Sequence, residues 1–315
     1  MATVQRSTPP FYNFLKEGFL LPSRNRSLFV AVFLLVVAST SVLLLVNDLA
    51  VQPIAVEILL DAKALNTTDP MSPDFTKLVK EIQDDTRELM IATAAYSLFA
   101  VVIGFAIRII ILFGAVATFS GEQHTFGTLL GKARTQLKGP LLTLAFVFVL
   151  EIAYVALLVA MAGLLAFLMV KKYYVPFLLL SLFVLVGFIF LVYFSVLCSF
   201  SVVVSVAEPW CHGAGAVGRA WRLVKEKTRR AVLFVAAISV LAAIVSAVYK
   251  LSMAGARSSI VAGLLLGLVY AILMGAVELF GVCSLTAFYY ECKGSNEVVA
   301  TDQYVRVSTD EQPKP

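Results

Sequence analysis

Six long apolar runs determine what this chain can fold into. They cover residues 27–46, 89–119, 140–170, 175–206, 231–253 and 258–290. A helix needs about 20 apolar residues to cross a bilayer, and each run is long enough to do so. The chain is 60% hydrophobic and 14% charged, against about 45–50% and 25% in soluble domains. We therefore predict an all-α, multi-pass membrane protein with six transmembrane helices in one membrane domain, 27–290.

The distribution of Lys and Arg predicts the orientation of these helices. Of the 25 in the chain, sixteen lie in the N-terminal segment 1–26, the linkers 120–139 and 207–230, and the tail 291–315. Eight lie on the opposite side, in the 47–88 loop and in or beside the two short connections. The positive-inside rule then places both termini in the cytosol. The 47–88 loop is expected to be lumenal or extracellular, and 291–315 a disordered cytosolic tail.

An N-glycosylation pattern agrees with this orientation. Asn66-Thr67-Thr68 lies in the 47–88 loop, the one sizeable connection expected on the non-cytosolic side. Glycosylation of Asn66 is one interpretation of the pattern. The other is an unmodified turn before the prolines that follow it.

A threefold repeat organises the six runs. Each odd-numbered run follows a short amphipathic stretch, in the order FYNFLKEGFLLPSRNRSLFVAVFLL, TFGTLLGKARTQLKGPLLTLAFVFVL and AVGRAWRLVKEKTRRAVLFVAAISVL. A basic amphipathic helix beside a bilayer is expected to lie in the interface, with its apolar face among the acyl chains. The predicted fold is therefore three transmembrane hairpins, each preceded by a cytosolic amphipathic helix. The alternative is that such linkers are common to multi-span proteins in general.

The third stretch, in the basic 207–230 linker helix, has the clearest division into two faces. Trp221 lies on the apolar face with Val217 and Val224. The opposite stripe is basic: Arg219, Arg222, Lys225 and Arg229. Each cation near the membrane surface attracts anionic headgroups with about 1 kcal/mol. The predicted partner is the bilayer itself, through anionic lipid headgroups on its cytosolic face and insertion of Trp221.

Two groups of motifs carry a resemblance to known families. Glu208-Pro209 followed by AVGRAWRLVKEKTRRA resembles the membrane region of a broad group of six-span proteins, which in bacteria is attached to some glycerophosphoryl diester phosphodiesterases. The opening FLKEGFLLPSRNRSLFVAVFLL and the YYECK motif at 289–293 are similar to those of uncharacterised plant multi-span membrane proteins. The resemblance implies a six-span membrane fold without a molecular activity. Phosphodiesterase chemistry is not expected, because no separate domain for it is found in the sequence.

Motifs for catalysis, metal binding and cofactor binding are not found in the sequence. His124 and His212 have no second metal ligand at helical spacing. Gly127 and Gly131 before Lys132 enclose three residues, and a phosphate-binding loop needs four. The chain is therefore expected to be non-enzymatic, with no metal or cofactor. Its cations are scattered between apolar runs, which argues against a nucleic-acid partner.

Three charged residues stand out inside the runs because they lie well away from the run ends: Arg108, Glu151 and Glu278. Each lies four residues from the middle of its run on the cytosolic side, a depth of about 6 Å from the centre. Because a charge at this depth is costly unless paired or hydrated, we predict a cluster whose spare carboxylate could bind a proton or a cation. The alternatives are a structural ion pair and an Arg108 that extends to the interface.

A stripe of small residues marks one face of the last run: Gly263, Gly267, Ala271 and Gly275. Small residues at every fourth position let two helices approach closely, so this face is predicted to pack against another helix. That helix belongs either to the same chain or to a second copy.

Two functions remain open at this stage. The first is a non-enzymatic membrane protein that organises, shapes or senses a bilayer, or recruits partners, through its basic cytosolic helices. The second is a transporter or channel that uses Arg108, Glu151 and Glu278. The runs contain few Gly-Pro breaks of the kind that form transporter sites, which favours the first. The expected location is an endomembrane such as the endoplasmic reticulum, or the plasma membrane.

Overall fold

The computed structural model describes residues 12–67, 72–122, 125–225, 227–256 and 260–310. Throughout these ranges the chain is helical or in short turns, and they contain no strand. Several residues used in the sequence predictions lie outside them, namely Thr68 of the glycosylation pattern, His124, and parts of the two termini. The all-α class is confirmed.

Ten α-helices follow one another along the described chain. The N-terminal helices are α1 (Asn13–Arg24), α2 (Arg26–Val46), α3 (Gln52–Leu65) and α4 (Pro73–Phe119), and a π-helical turn, Asn47–Val51, joins α2 to α3. The remaining helices are α5 (Phe126–Gln136), α6 (Lys138–Val170), α7 (Tyr174–Ala207), α8 (Ala214–Lys225), α9 (Thr228–Ala256) and α10 (Ile260–Asp310).

Six helical segments of the described chain are long and apolar enough to cross a membrane. They are Arg26–Leu65, Pro73–Phe119, Lys138–Val170, Tyr174–Ala207, Thr228–Leu251 and Val261–Gly294. Each contains most or all of one apolar run of the sequence, which confirms the prediction of six helices able to span a membrane. The short helices α1, α5 and α8 precede the first, third and fifth of them.

The 47–88 segment is more helical than the sequence predicted. Helix α4 begins at Pro73, sixteen residues before the expected start of the second span. Ser72 caps it, since its hydroxyl accepts a hydrogen bond from the backbone N–H of Phe75 at 3.3 Å, and proline suits the first helical position. The many charges of this stretch suggested a loop, but Lys and Glu are also good helix formers. The 47-residue helix is about 70 Å long, so it extends well beyond a hydrocarbon layer of about 30 Å.

The C-terminal segment also differs from the prediction. Helix α10 continues to Asp310, although 291–315 was expected to be a disordered tail. Its first residues after 290 are held by the rest of the protein, because Cys292 is buried and Glu291 is ion-paired to the start of α9. Such contacts stabilise a helix beyond its apolar run, and the sequence alone does not show them.

The short helices bury their apolar faces against protein. The buried residues of α1 are Phe14, Gly18 and Leu21, those of α5 are Leu129 and Ala133, and those of α8 are Ala216, Ala220, Leu223 and Val224. The sequence analysis placed these faces among acyl chains. A protein surface that matches the helix in shape excludes lipid from it, which the amphipathic pattern cannot reveal.

The chain divides into two compact units. The first contains the described parts of Met1–Ala31, Ile109–Ala243 and Val277–Pro315. Its core is aromatic, with the ring of Phe288 lying 5.3 Å from that of Phe14 and 5.6 Å from that of Phe200. Tight packing surrounds these rings, since a Cβ on Gly18 of α1 would lie 2.7 Å from the backbone nitrogen of Ser284 on α10.

The second unit contains the described parts of Val32–Arg108 and Ile244–Ala276. Here α10 packs on α2 through Gly275, where an added Cβ would lie 3.3–3.4 Å from the side chains of Phe33, Val36 and Val37. Ala271 is buried as well, and Gly263 and Gly267 are half-buried. At Gly275 the small-residue stripe therefore faces a helix of the same chain.

Candidate functional site

A buried carboxylate lies at the start of the loop between α7 and α8, in the first unit. The side chain of Glu208 is 7% exposed and accepts a hydrogen bond of 2.8 Å from the hydroxyl of Tyr289 on α10. Tyr289 is itself fully buried. A charged group at such a position needs partners that compensate its lost hydration.

Two cations supply this compensation. The Nε of Arg219 on α8 lies 3.6 Å from Oε2 of Glu208, and the Nζ of Lys293 on α10 lies 3.9 Å from Oε1. Both cations are partly exposed, at 46% and 35%. Glu208 thereby links the α7–α8 loop, α8 and the 289–293 stretch of α10.

A second carboxylate, two residues after Tyr289 on α10, is also paired with two cations. Glu291 forms ion pairs with Arg230 and with Lys227, whose Nζ lies 3.6 Å from Oε1. The same Nζ donates a hydrogen bond of 3.1 Å to the backbone carbonyl of Glu291. We call the set Glu208, Glu291, Tyr289, Arg219, Lys227, Arg230 and Lys293 the carboxylate clamp. It fastens to α10 the loop that precedes α8 and the start of α9 that follows it, and it holds α8 through Arg219.

The loop that enters α8 is fixed by a third contact, with α6. The hydroxyl of Thr143 accepts a hydrogen bond of 2.9 Å from the N–H of Gly213 and donates one of 3.0 Å to the carbonyl of Gly139. Gly213 has a φ of +57°, which a side chain rarely tolerates. Gly139 lies so close to His212 that a Cβ would overlap the imidazole ring. His212 thus packs on α6.

The basic residues predicted to contact headgroups fall into two groups. Arg219 is committed to Glu208 in the clamp. Arg222, Lys225 and Arg229 are exposed, and none of them forms an ion pair with another residue of the described ranges. Trp221 is 42% exposed and packs edge-on against Tyr193, with ring centroids 5.9 Å apart. Val224, assigned to the lipid-facing stripe, is fully buried.

The three charged residues predicted to form a cluster, Arg108, Glu151 and Glu278, are each half-buried. Arg108 belongs to the second unit, whereas Glu151 and Glu278 belong to the first, and their pairing stays a prediction. Glu151 lines a groove of about 460 Å³ formed by α6, α7 and α9. Three serines line it too: Ser195, Ser199 and Ser239. We call it the serine groove.

The family model described as Domain of unknown function (DUF8558) matches residues 9–300. The chain belongs to this family. No curated protein and no solved structure matches this chain. The DUF8558 region includes the whole carboxylate clamp and the serine groove. The predicted relation to membrane regions attached to glycerophosphoryl diester phosphodiesterases stays a prediction, because the description of DUF8558 names no activity.

The clamp is a feature of this DUF8558 chain that sequence reasoning missed. The Glu208-Pro209 pair and the YYECK motif at 289–293 were recognised as patterns, but no contact between them was predicted. The signal in the sequence was Glu208, an acid at the start of the strongly basic 207–230 linker. An acid in that position suggests an ion pair with one of the cations around it. Within the described residues, no group of three or more His, Cys, Asp or Glu side chains could hold a metal ion.

Proposed function

We propose that this protein is a non-enzymatic integral membrane protein whose α8 binds anionic lipid headgroups on the cytosolic face. Binding there would organise the bilayer or recruit partners to it. The proposal includes the orientation with both termini in the cytosol and an endomembrane or plasma-membrane location. It also includes three transmembrane hairpins, preceded by α1, α5 and α8.

The observation that carries the proposal is that the cations of α8 and the start of α9 fall into two groups. Arg219 is ion-paired within the protein, whereas Arg222, Lys225 and Arg229 are exposed. Protein contacts set the orientation of α8, because its apolar face is buried and Arg219 pairs with Glu208. Arg222, Lys225 and Arg229 are then left exposed on the surface of the protein. Three such cations are expected to contribute about 3 kcal/mol of attraction to an anionic surface, less at high salt.

The two tryptophans of the chain, Trp210 and Trp221, offer a direct test in the full-length protein. With Trp210 replaced by Phe, the fluorescence of Trp221 reports on the lipids beside α8. The protein is reconstituted into vesicles in which either the anionic or the zwitterionic lipid carries brominated acyl chains. Stronger quenching by the brominated anionic lipid, at equal mole fraction, is the expected result.

A triple variant that removes three positive charges, Arg222→Gln, Lys225→Gln and Arg229→Gln, should remove this preference. The matched control is Lys171→Gln with Lys172→Gln, on the connection predicted to face the opposite side, and it should leave the preference unchanged. Equal quenching by both lipids in the unaltered protein, or an unchanged preference in the triple variant, would contradict the proposed function.

Transport is the second candidate, favoured by the position of Glu151 in the serine groove within a span. Solute or proton flux in reconstituted vesicles should then fall in Glu151→Gln and Glu278→Gln. If Arg108 pairs with one of them, the double variant with that partner should cost less unfolding free energy than the two single costs added. Absence of flux above protein-free vesicles rejects transport, and additive costs reject the pairing.

A further inference from the structure

A small cavity lies where the third spanning helix begins and the fourth one ends. Its walls come from the junction of α5 and α6 and from the end of α7 with the loop that follows it. Its volume is about 200 Å³, enough for several waters at about 30 Å³ each. Five polar side chains line it: Thr135, Gln136, Lys138, Ser205 and His212. We call it the interfacial pocket, because Lys138 is the first residue of one span and Ser205 lies in the last turn of the next.

His212 is held in a fixed position on one wall of the interfacial pocket. A Cβ on Gly139 would overlap its ring, and Thr143 fixes the loop by accepting a hydrogen bond of 2.9 Å from the N–H of Gly213. Nδ1 of the imidazole is buried and bonds to no residue of the described chain. Because a buried N–H without an acceptor is costly, the hydrogen of the neutral ring belongs on Nε2. His212 therefore offers an N–H donor.

Lys138 and Gln136 supply further donors. Lys138 is exposed and forms no ion pair with a residue of the described ranges, so its ammonium group has three N–H donors available. Gln136 is exposed too and has two N–H donors on its amide. The hydroxyls of Thr135 and Ser205 already donate to backbone carbonyls of their own helices, both at 2.8 Å. The donors available to a ligand are thus those of Lys138, Gln136 and His212.

The charge of the interfacial pocket favours an anion. Its lining contains Lys138 and no Asp or Glu. Glu208 is close in the sequence, since it immediately precedes the lining residue Pro209, but it belongs to the carboxylate clamp. There Arg219 and Lys293 offset its charge. Hydrogen bonds between a charged donor and an anion are roughly twice as strong as those between neutral groups.

Among biological anions, a phosphate monoester matches this set of donors. It carries a charge of about −1.5 to −2 at pH 7 and three strong acceptor oxygens. The three oxygens correspond to the three donor side chains, Lys138, Gln136 and His212. A phosphate diester has two such oxygens and one charge, so it would leave one donor side chain without an acceptor.

We propose that the interfacial pocket binds the phosphate of a phosphate monoester, with Lys138 and His212 as its main donors. The monoester is either the headgroup of a lipid such as phosphatidic acid or a small soluble molecule such as glycerol 3-phosphate. The proposal goes beyond the lipid-surface function of α8, because it concerns a single site on other elements, and it does not rest on that function.

Native mass spectrometry of the full-length protein in a neutral detergent tests the proposal. Dioleoyl phosphatidic acid and glycerol 3-phosphate are titrated separately. Dioleoyl phosphatidylglycerol serves as the anionic diester, and dioleoylglycerol as the lipid without phosphate. Saturable binding of one equivalent of at least one monoester is expected, and the monoester that binds identifies the source. It should bind about tenfold more tightly than the diester, which makes one charge-assisted hydrogen bond fewer.

Four variants locate the site. Lys138→Gln should bind the monoester about 10- to 100-fold more weakly through loss of a charged donor, and Lys138→Arg should retain most of the binding. His212→Phe keeps a ring against Gly139 but has no donor, so it should bind about tenfold more weakly. The matched control is Arg134→Gln, which removes an exposed cation of α5 outside the pocket lining and should bind normally. Because Lys138 is exposed, its variants should fold even if His212→Phe does not.

Several results would overturn the proposal. They are binding of neither monoester, equal binding of phosphatidylglycerol or dioleoylglycerol, and unchanged binding by Lys138→Gln or by a folded His212→Phe. Equal losses in Lys138→Gln and Arg134→Gln would also overturn it, because they would show attraction to positive charge in general. The variant Arg222→Gln, Lys225→Gln, Arg229→Gln should retain monoester binding, so the two proposals can fail separately.

Discussion

Tyr289 and Glu208 make the hydrogen bond on which the carboxylate clamp depends, and its loss should be measurable. Tyr289→Phe removes the hydroxyl that donates to Glu208 at 2.8 Å without changing the packing of the ring. A hydrogen bond to a charged acceptor is worth about 1.5–3 kcal/mol. Because both side chains are buried, water cannot replace the lost donor. We expect the unfolding free energy to fall by about 2 kcal/mol.

Glu208→Ala should cost more. It leaves the buried hydroxyl of Tyr289 without an acceptor, at about 1–3 kcal/mol. It also removes ion pairs to Arg219 and Lys293, each worth about 0.2–1 kcal/mol because these cations are partly exposed. The expected total is about 3 kcal/mol. The double variant Glu208→Ala, Tyr289→Phe should be less destabilised than the sum, by about 1.5 kcal/mol.

Equilibrium unfolding in mixed detergent micelles, followed by circular dichroism, measures these differences. Tyr290→Phe is the matched control, since its hydroxyl bonds at 3.0 Å to the exposed hydroxyl of Ser120 and should cost less than about 1 kcal/mol. If Tyr289→Phe costs no more than Tyr290→Phe, or if the Glu208 and Tyr289 effects add, the clamp does not stabilise the protein as described.

Three further predictions concern close approaches and topology. Gly18→Ala should destabilise the protein by about 1–3 kcal/mol through overlap with α10, whereas Gly131→Ala, with open space at its Cβ, should be neutral or stabilising by up to about 1 kcal/mol in the same unfolding assay. Gly139→Ala should lower the thermal midpoint, and adding His212→Ala should restore part of the loss; a lack of rescue would refute the contact. Asn66→Gln should abolish a glycosidase-sensitive mobility shift when the protein is made in a eukaryotic cell, and no shift in the parent protein means that the pattern is unused.

The six spans were predictable because the signal for them is local. Each run is long and apolar enough to be a membrane helix whatever its neighbours are. The run at 175–206, for example, corresponds to α7, Tyr174–Ala207. Helix ends were less predictable, since α4 begins among charged residues at Pro73 and α10 continues through Glu291. In both places, capping or tertiary contacts extend the helix beyond its apolar part.

The site was predictable only in part. The sequence located Glu151, Arg222 and the basic stripe of α8, but it did not distinguish Arg219, which binds Glu208, from the exposed cations around it. Helical periodicity places these side chains on one broad face, but it does not show that a carboxylate from the preceding loop pairs with one of them.

The sequence by itself determined that the chain suits a membrane, how many helices can span it, and where α1, α5 and α8 lie. It could do so because hydrophobic length and periodicity are properties of contiguous residues. The tertiary structure alone decided which charges are paired and which are exposed. Glu208 and Tyr289 are 81 positions apart, and the serine groove draws its hydroxyls from two helices. Contacts between residues so far apart in the sequence depend on how the helices pack. Packing follows from the shapes of many side chains together rather than from any one segment.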